Sequence, residues 1–188
     1  MDIHKGFGNA NKIMNRLLFD AFQNFGLRIS EIDGGSLRNA IPRESKAIVA
    51  INSVQEEAFK YEMGLQIEAI QTELKTLEPD LNVELAKIDT PKVIMDLGVQ
   101  EGIIRSIYAA HNGVYRMSAD FADLVETSNN IAKVTVGGGN LIIQCLTRSS
   151  VETAKFDLAN ALRSAFELMG CEVTFSGSYP GWTPNPNS

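Results

Sequence analysis

Ile32-Asp33-Gly34-Gly35-Ser36-Leu37-Arg38-Asn39-Ala40-Ile41-Pro42-Arg43 separates two strand-like runs, Leu27–Ile32 and Lys46–Ile51. Such a connector reads as the loop of a hairpin, with Gly34, Gly35 and Pro42 supplying its turns. Turn formation alone does not call for Arg38, Asn39 and Arg43 so close together. Two guanidinium forks and a carboxamide at the mouth of a sheet suit a carboxylate or a polarised carbonyl. A solvated polar loop is the plainer reading of the same residues, so the choice depends on the rest of the chain.

Upstream, residues 9–25 predict a helix: Met14, Leu17, Leu18, Ala21, Phe22 and Phe25 recur at three- and four-residue steps. Asn9 and Asn11 can cap its start, and Gly26 stops it with a left-handed residue. Downstream, Ser53-Val54-Gln55-Glu56 reads as a capping box before a helix marked by Phe59, Met63, Ile67, Ile70, Leu74 and Leu77. Glu78-Pro79-Asp80 breaks that helix, and Asn82–Ile88 reads as a third strand.

The order then repeats. Thr90-Pro91 opens a helix to about residue 110, weakened by Gly98 and Gly102. A strand near 126–136 and the apolar strand Leu141–Leu146 flank a Gly137-Gly138-Gly139-Asn140 hairpin. Ser149-Ser150-Val151-Glu152 is a second capping box, leading into a helix that Gly170 ends, and Cys171–Ser176 closes as a strand. The order α-β-β-α-β thus occurs twice, which predicts an α+β fold of two ferredoxin-like lobes with helices on one face of an antiparallel sheet. The lobes span 1–90 and 91–178, and 179–188 is an extended tail.

Among 188 residues, 17 Lys and Arg stand against 23 Asp and Glu, a net charge of -6. No basic face for nucleic acid is therefore expected, nor is a base-stacking aromatic stripe present. No apolar run reaches the roughly 20 residues that span a bilayer, and the N-terminus lacks a signal-peptide shape. Cys145 and Cys171 both sit in apolar runs, which suits a reduced, cytoplasmic setting. His4 and His111 lie in no ligand spacing, and no Cys-x-x-Cys, Gly-x-Ser-x-Gly or phosphate-binding loop occurs. Gly6-Phe7-Gly8 before a helix could face an anion but reads more simply as a turn. Arg148 ends an apolar strand just before a helix start; it is either a surface arginine or a guanidinium held at the end of the sheet. Asn129-Asn130 reads as a pair of turn residues at the start of the preceding strand.

Several stretches, in order along nearly the whole chain, resemble the bacterial aminoacyl-histidine dipeptidases, a family of zinc peptidases. They are His4–Lys12, Gly34–Glu44, Asn112-Gly113-Val114, Val125–Asn130, Cys145–Ser149 and Tyr179-Pro180-Gly181-Trp182. The resemblance covers the lid and dimerisation domain only, entered just after the family's Gly-Gly-His-Ser-Gly motif. The metal ligands and the general-base glutamate have no counterpart here, so this segment alone is expected to bind no zinc and to be inactive. For a parent enzyme the resemblance implies a cytoplasmic homodimer hydrolysing dipeptides with a C-terminal histidine, with a metal-bound water as nucleophile. It further implies that Arg148 takes the substrate carboxylate, that Asn39 donates to the substrate or the developing oxyanion, and that Asn130 contacts the substrate. The competing reading, which needs no metal ligands, is a stand-alone ferredoxin-like module that dimerises or binds a small anion.

Overall fold

A computed structural model describes residues 3–178. Helix α1 (Ala10–Phe25) is followed by strands β1 (Arg28–Gly34) and β2 (Ser45–Ala50), then helices α2 (Glu56–Leu74) and α3 (Leu97–Ala109). Strands β3 (Gly113–Met117), β4 (Val125–Gly137) and β5 (Asn140–Ser149) precede helix α4 (Glu152–Glu167). The class is α+β, with an antiparallel sheet, as the sequence implies.

The two halves share one sheet. Strand β4 is long enough to take two partners end to end on one edge: β3 along residues 125–129 and β1 along 134–136. Its other edge carries β5 over its whole length, and β2 completes the sheet beyond β1. Ile29, Ile32, Val134 and Val136 are buried against Leu18, Ile103, Ile107, Leu158 and Phe166 from the helices. The opposite face shows Glu31, Asp33, Lys46 and Gln144 to solvent. This is the alternation expected of a sheet covered on one side.

Some local signals operate as expected. Asn9 caps α1, its side-chain oxygen accepting from the Lys12 amide at 3.1 Å, and Gly26 ends it at φ 60°. Others are displaced. The 53–56 capping box gives way to a short 3-10 turn that Asn52 caps, and Glu56 turns instead to Lys60 and Lys87. Helix α3 starts seven residues after Thr90, where Asp96 accepts from the Gly98 and Val99 amides. Its carboxylate satisfies two orphan donors that a threonine hydroxyl would serve less well. Segments 82–88 and 171–176, expected as the third strand of each half, carry no ladder hydrogen bonds.

Candidate functional site

The 35–44 loop is pinned at four points. The Gly35 amide donates to Glu44 O at 3.1 Å, and Pro42 O accepts from the Ala10 amide at 3.0 Å. Ala40 O accepts from Asn130 Nδ2 at 2.7 Å. Arg43 forks onto both carboxylate oxygens of Glu78, which also accepts from the Gly8 amide at 3.0 Å. Arg43 therefore spends its guanidinium internally, tying the loop to the end of α2. Its hydrogen bonds hold the Glu78 carboxyl below the usual range, against the opposing effect of burial.

Gly35 permits the close approach of this loop to β4, while Gly34 leaves room for the side chains of Asn11 and Ser45. Gly35 has φ +73°, and a Cβ there would stand 1.9 Å from the carbonyl oxygen of Ala132. Ala132 is the unpaired residue of a bulge, since the β4–β5 register skips from Ile131 to Lys133. Re-aiming that carbonyl brings the strand against the loop.

Behind the loop lies a buried asparagine network. Asn9 Nδ2 reaches Asn112 Oδ1 at 2.9 Å, Asn130 Oδ1 at 3.1 Å and Ile131 O at 3.1 Å. Asn112 Oδ1 also accepts from the Ile131 amide, while Asn129 bridges His111 O and the Thr147 hydroxyl. Asn130 is fully buried with both ends of its amide engaged, so the structure makes it the anchor of the loop.

That anchor brings the loop's tip to the end of β5. Ser128, two residues before Asn130, is the cross-strand partner of Arg148, and Arg38 lies two residues before Ala40. Arg38 and Arg148 line one cavity of about 920 Å³, and His4 lines it too. Both guanidinium groups are solvent-facing and neither has an ion-pair or hydrogen-bond partner among the described residues. Asn39 is exposed on the same turn but outside the cavity lining. Residue spacing picked out Arg38, Asn39 and Arg148 but gave no sign that Arg38 and Arg148 line one cavity. Among the described residues no three His, Cys, Asp or Glu side chains come together as metal ligands.

Residues 2–78 match the peptidase dimerisation domain family. Over all of its length the chain is 36% identical to a solved aminoacylhistidine dipeptidase from Vibrio alginolyticus, with a TM-score of 0.95. This chain is a relative of the aminoacyl-histidine dipeptidases. It is also 35% identical over 187 residues to the cytosol non-specific dipeptidase of Escherichia coli (strain K12). The chain spans 38% of the Vibrio dipeptidase and 39% of the Escherichia one. Among the described residues no helix is long and apolar enough to cross a membrane.

Proposed function

We propose that this chain is the lid and dimerisation part of a metal-dependent dipeptidase acting on Xaa-His dipeptides, and that its share of the work is electrostatic. The observation that carries the reading is that Arg38 and Arg148, two guanidinium groups without a partner among the described residues, line the same cavity. A substrate carboxylate entering that cavity can accept charge-assisted hydrogen bonds from a guanidinium that has no other anion to serve. In this reading Arg148 takes the C-terminal carboxylate of the dipeptide. Asn39, exposed on the adjoining turn, donates to the substrate carbonyl or the oxyanion that develops from it. Asn130 acts at one remove, as a positioning residue that holds the turn through Ala40 O. Zinc and the general base come from polypeptide outside this segment and supply the attacking water, while the dimer keeps the lid close to them.

The test is Arg148→Ala in the complete enzyme. Loss of a donor to the reacting substrate typically costs about 3 kcal/mol of barrier. Turnover of a histidine-containing dipeptide should fall at least about tenfold, with an unchanged circular dichroism spectrum. Near-normal kcat/KM would remove the assignment. Arg148→Lys should restore only part of the rate, because an ammonium keeps the charge without the planar fork.

A further inference from the structure

Residues 171–178 carry no ladder hydrogen bonds, yet side chains hold them along α4. The Cys171 amide donates to Phe166 O at 3.2 Å, the Arg163 guanidinium lies over the Phe175 ring at 4.0 Å, and Lys155 Nζ donates to Ser178 Oγ at 3.1 Å. As this strap advances from 171 to 178, its partners on α4 step back from 166 to 155. Cys171 and Val173 turn inward against the core. A cation over an aromatic face and packed apolar side chains thus fix its course in place of a ladder.

Between Phe175 and Ser178 lies Gly177, left-handed at φ +66°. The guanidinium of Arg38, reaching over from the 35–44 loop, rests against it. A Cβ at 177 would stand 3.1 Å from Arg38 Nη2, 3.7 Å from Nη1 and 3.8 Å from Cζ, in space that the fork now borders. Arg38, Gly177 and Arg148 all line the one cavity. An exposed arginine with no ion pair and no hydrogen bond keeps its rotamer freedom unless something bounds it. Here the bare backbone of the strap is a fixed wall on one side of the guanidinium. Gly170 makes the contrast: it too is left-handed, at φ +89°, but nothing lies within 4 Å of an added Cβ, so it serves the helix end alone.

We infer that Gly177 is a positioning residue for Arg38. By carrying no side chain it lets the strap seat the guanidinium in the cavity, so that a substrate carboxylate meets a cation already in place. The inference deepens the proposed function and rests on it, since it takes the cavity to be where the lid meets the dipeptide. Misplacing a binding group by about 1 Å can cost about 100-fold, so a shift of a few tenths of an ångström costs a few-fold.

Steady-state kinetics of the complete enzyme on a histidine-containing dipeptide test this with Gly177→Asn, Gly170→Asn, Arg38→Ala and the double variant Gly177→Asn/Arg38→Ala. Asparagine tolerates a left-handed backbone, so crowding of Arg38 is what separates positions 177 and 170. Gly177→Asn should raise KM at least about threefold with kcat little changed, the mark of lost binding common to ground and transition states. Gly170→Asn should leave KM as it was. Arg38→Ala should raise KM at least as far as Gly177→Asn does, and adding Gly177→Asn to it should do nothing more, because the two act through one guanidinium. A smaller rise in Gly177→Asn, an equal rise in Gly170→Asn, an unchanged KM in Arg38→Ala, or additive effects in the double variant each overturn the inference. Should Gly177→Asn fail to fold by circular dichroism, Gly177→Ala carries the same comparison against Gly170→Ala. Arg148→Ala assayed alongside separates the two readings: normal activity there with 177 and 38 still coupled removes the Arg148 assignment alone, and a tenfold loss there without that coupling removes the role of Gly177 alone.

Discussion

Replacing Gly35 by alanine tests the geometry that sets the 35–44 loop. Two costs can be separated there. A side chain at φ +73° forces a left-handed residue other than glycine, worth about 1–2 kcal/mol. The new Cβ would also stand 1.9 Å from Ala132 O, a backbone atom that cannot rotate away, so either the loop or the bulge must shift. Overpacking of this kind adds about 1–3 kcal/mol. Gly138→Ala is the matched control: its φ is +57° but nothing lies within 4 Å of the added Cβ, so only the first cost applies. With a urea slope of about 2 kcal/mol per molar, Gly35→Ala should lower the unfolding midpoint by about 1–2.5 M and Gly138→Ala by about 0.5–1 M. Equal midpoints for the two variants would refute the claim that the bulge carbonyl fixes the loop.

Further predictions concern the loop's supports and the packing beyond it. Asn9→Ala removes a helix cap and leaves the buried Asn130 Oδ1 without its donor, so it should destabilise the chain by about 2–4 kcal/mol in chemical denaturation; a loss below about 1 kcal/mol would show that the network is dispensable. Glu78 has a carboxyl pKa lowered in the folded state, so its stabilisation is fully present above the unfolded carboxylate range and fades as pH falls through the folded value. Stability should therefore decline from about pH 5 downward, and less so in Glu78→Gln. Glu56 is lowered to about 2 by Lys60 and Lys87, but both lysines are exposed, so high salt should weaken its part of the slope more than that of Glu78. Burial pushes the Cys145 thiol up to about 11 despite a hydrogen bond from Asn129, so at pH 8 a thiol reagent should label Cys171 well before Cys145, and the reverse order would contradict the packing.

What the sequence made legible was local. Helix α1 with its asparagine cap and glycine stop, and the 137–140 hairpin, depend on neighbours a few residues apart, and periodicity reads such neighbours directly. The third strand of each half was expected from alternation alone. Alternation reports that one side of a segment packs inward, as the partly buried Cys171 and Val173 do, and is silent on whether a ladder partner exists. Short β3 carried too few residues to stand out, and it is held by a register with β4 that only the fold supplies. The two capping boxes failed for a different reason: Glu56 had better partners in Lys60 and Lys87, and Ser149 Oγ accepts from the Val151 amide instead.

The least legible feature was the run Thr127-Ser128-Asn129-Asn130, whose composition suggests a turn although all four residues are buried within β4. Polar side chains at such positions cost stability unless each finds a partner. Here Asn130 joins residues 9 and 40, and Asn129 joins residues 111 and 147, across separations of 18 to 121 positions. An apolar residue of the same size could fill the space but could not hold Ala40 O, and with it the Arg38 turn, in one place. Folding has then already ordered the turn before an anion arrives, and binding need not bear that entropy again. This makes a distinction that can be measured: Asn130→Leu should retain much of the stability while weakening the grip of the complete enzyme on its substrate, seen as a raised KM. A variant that lost stability and kept its KM would show that the buried amides serve the core alone.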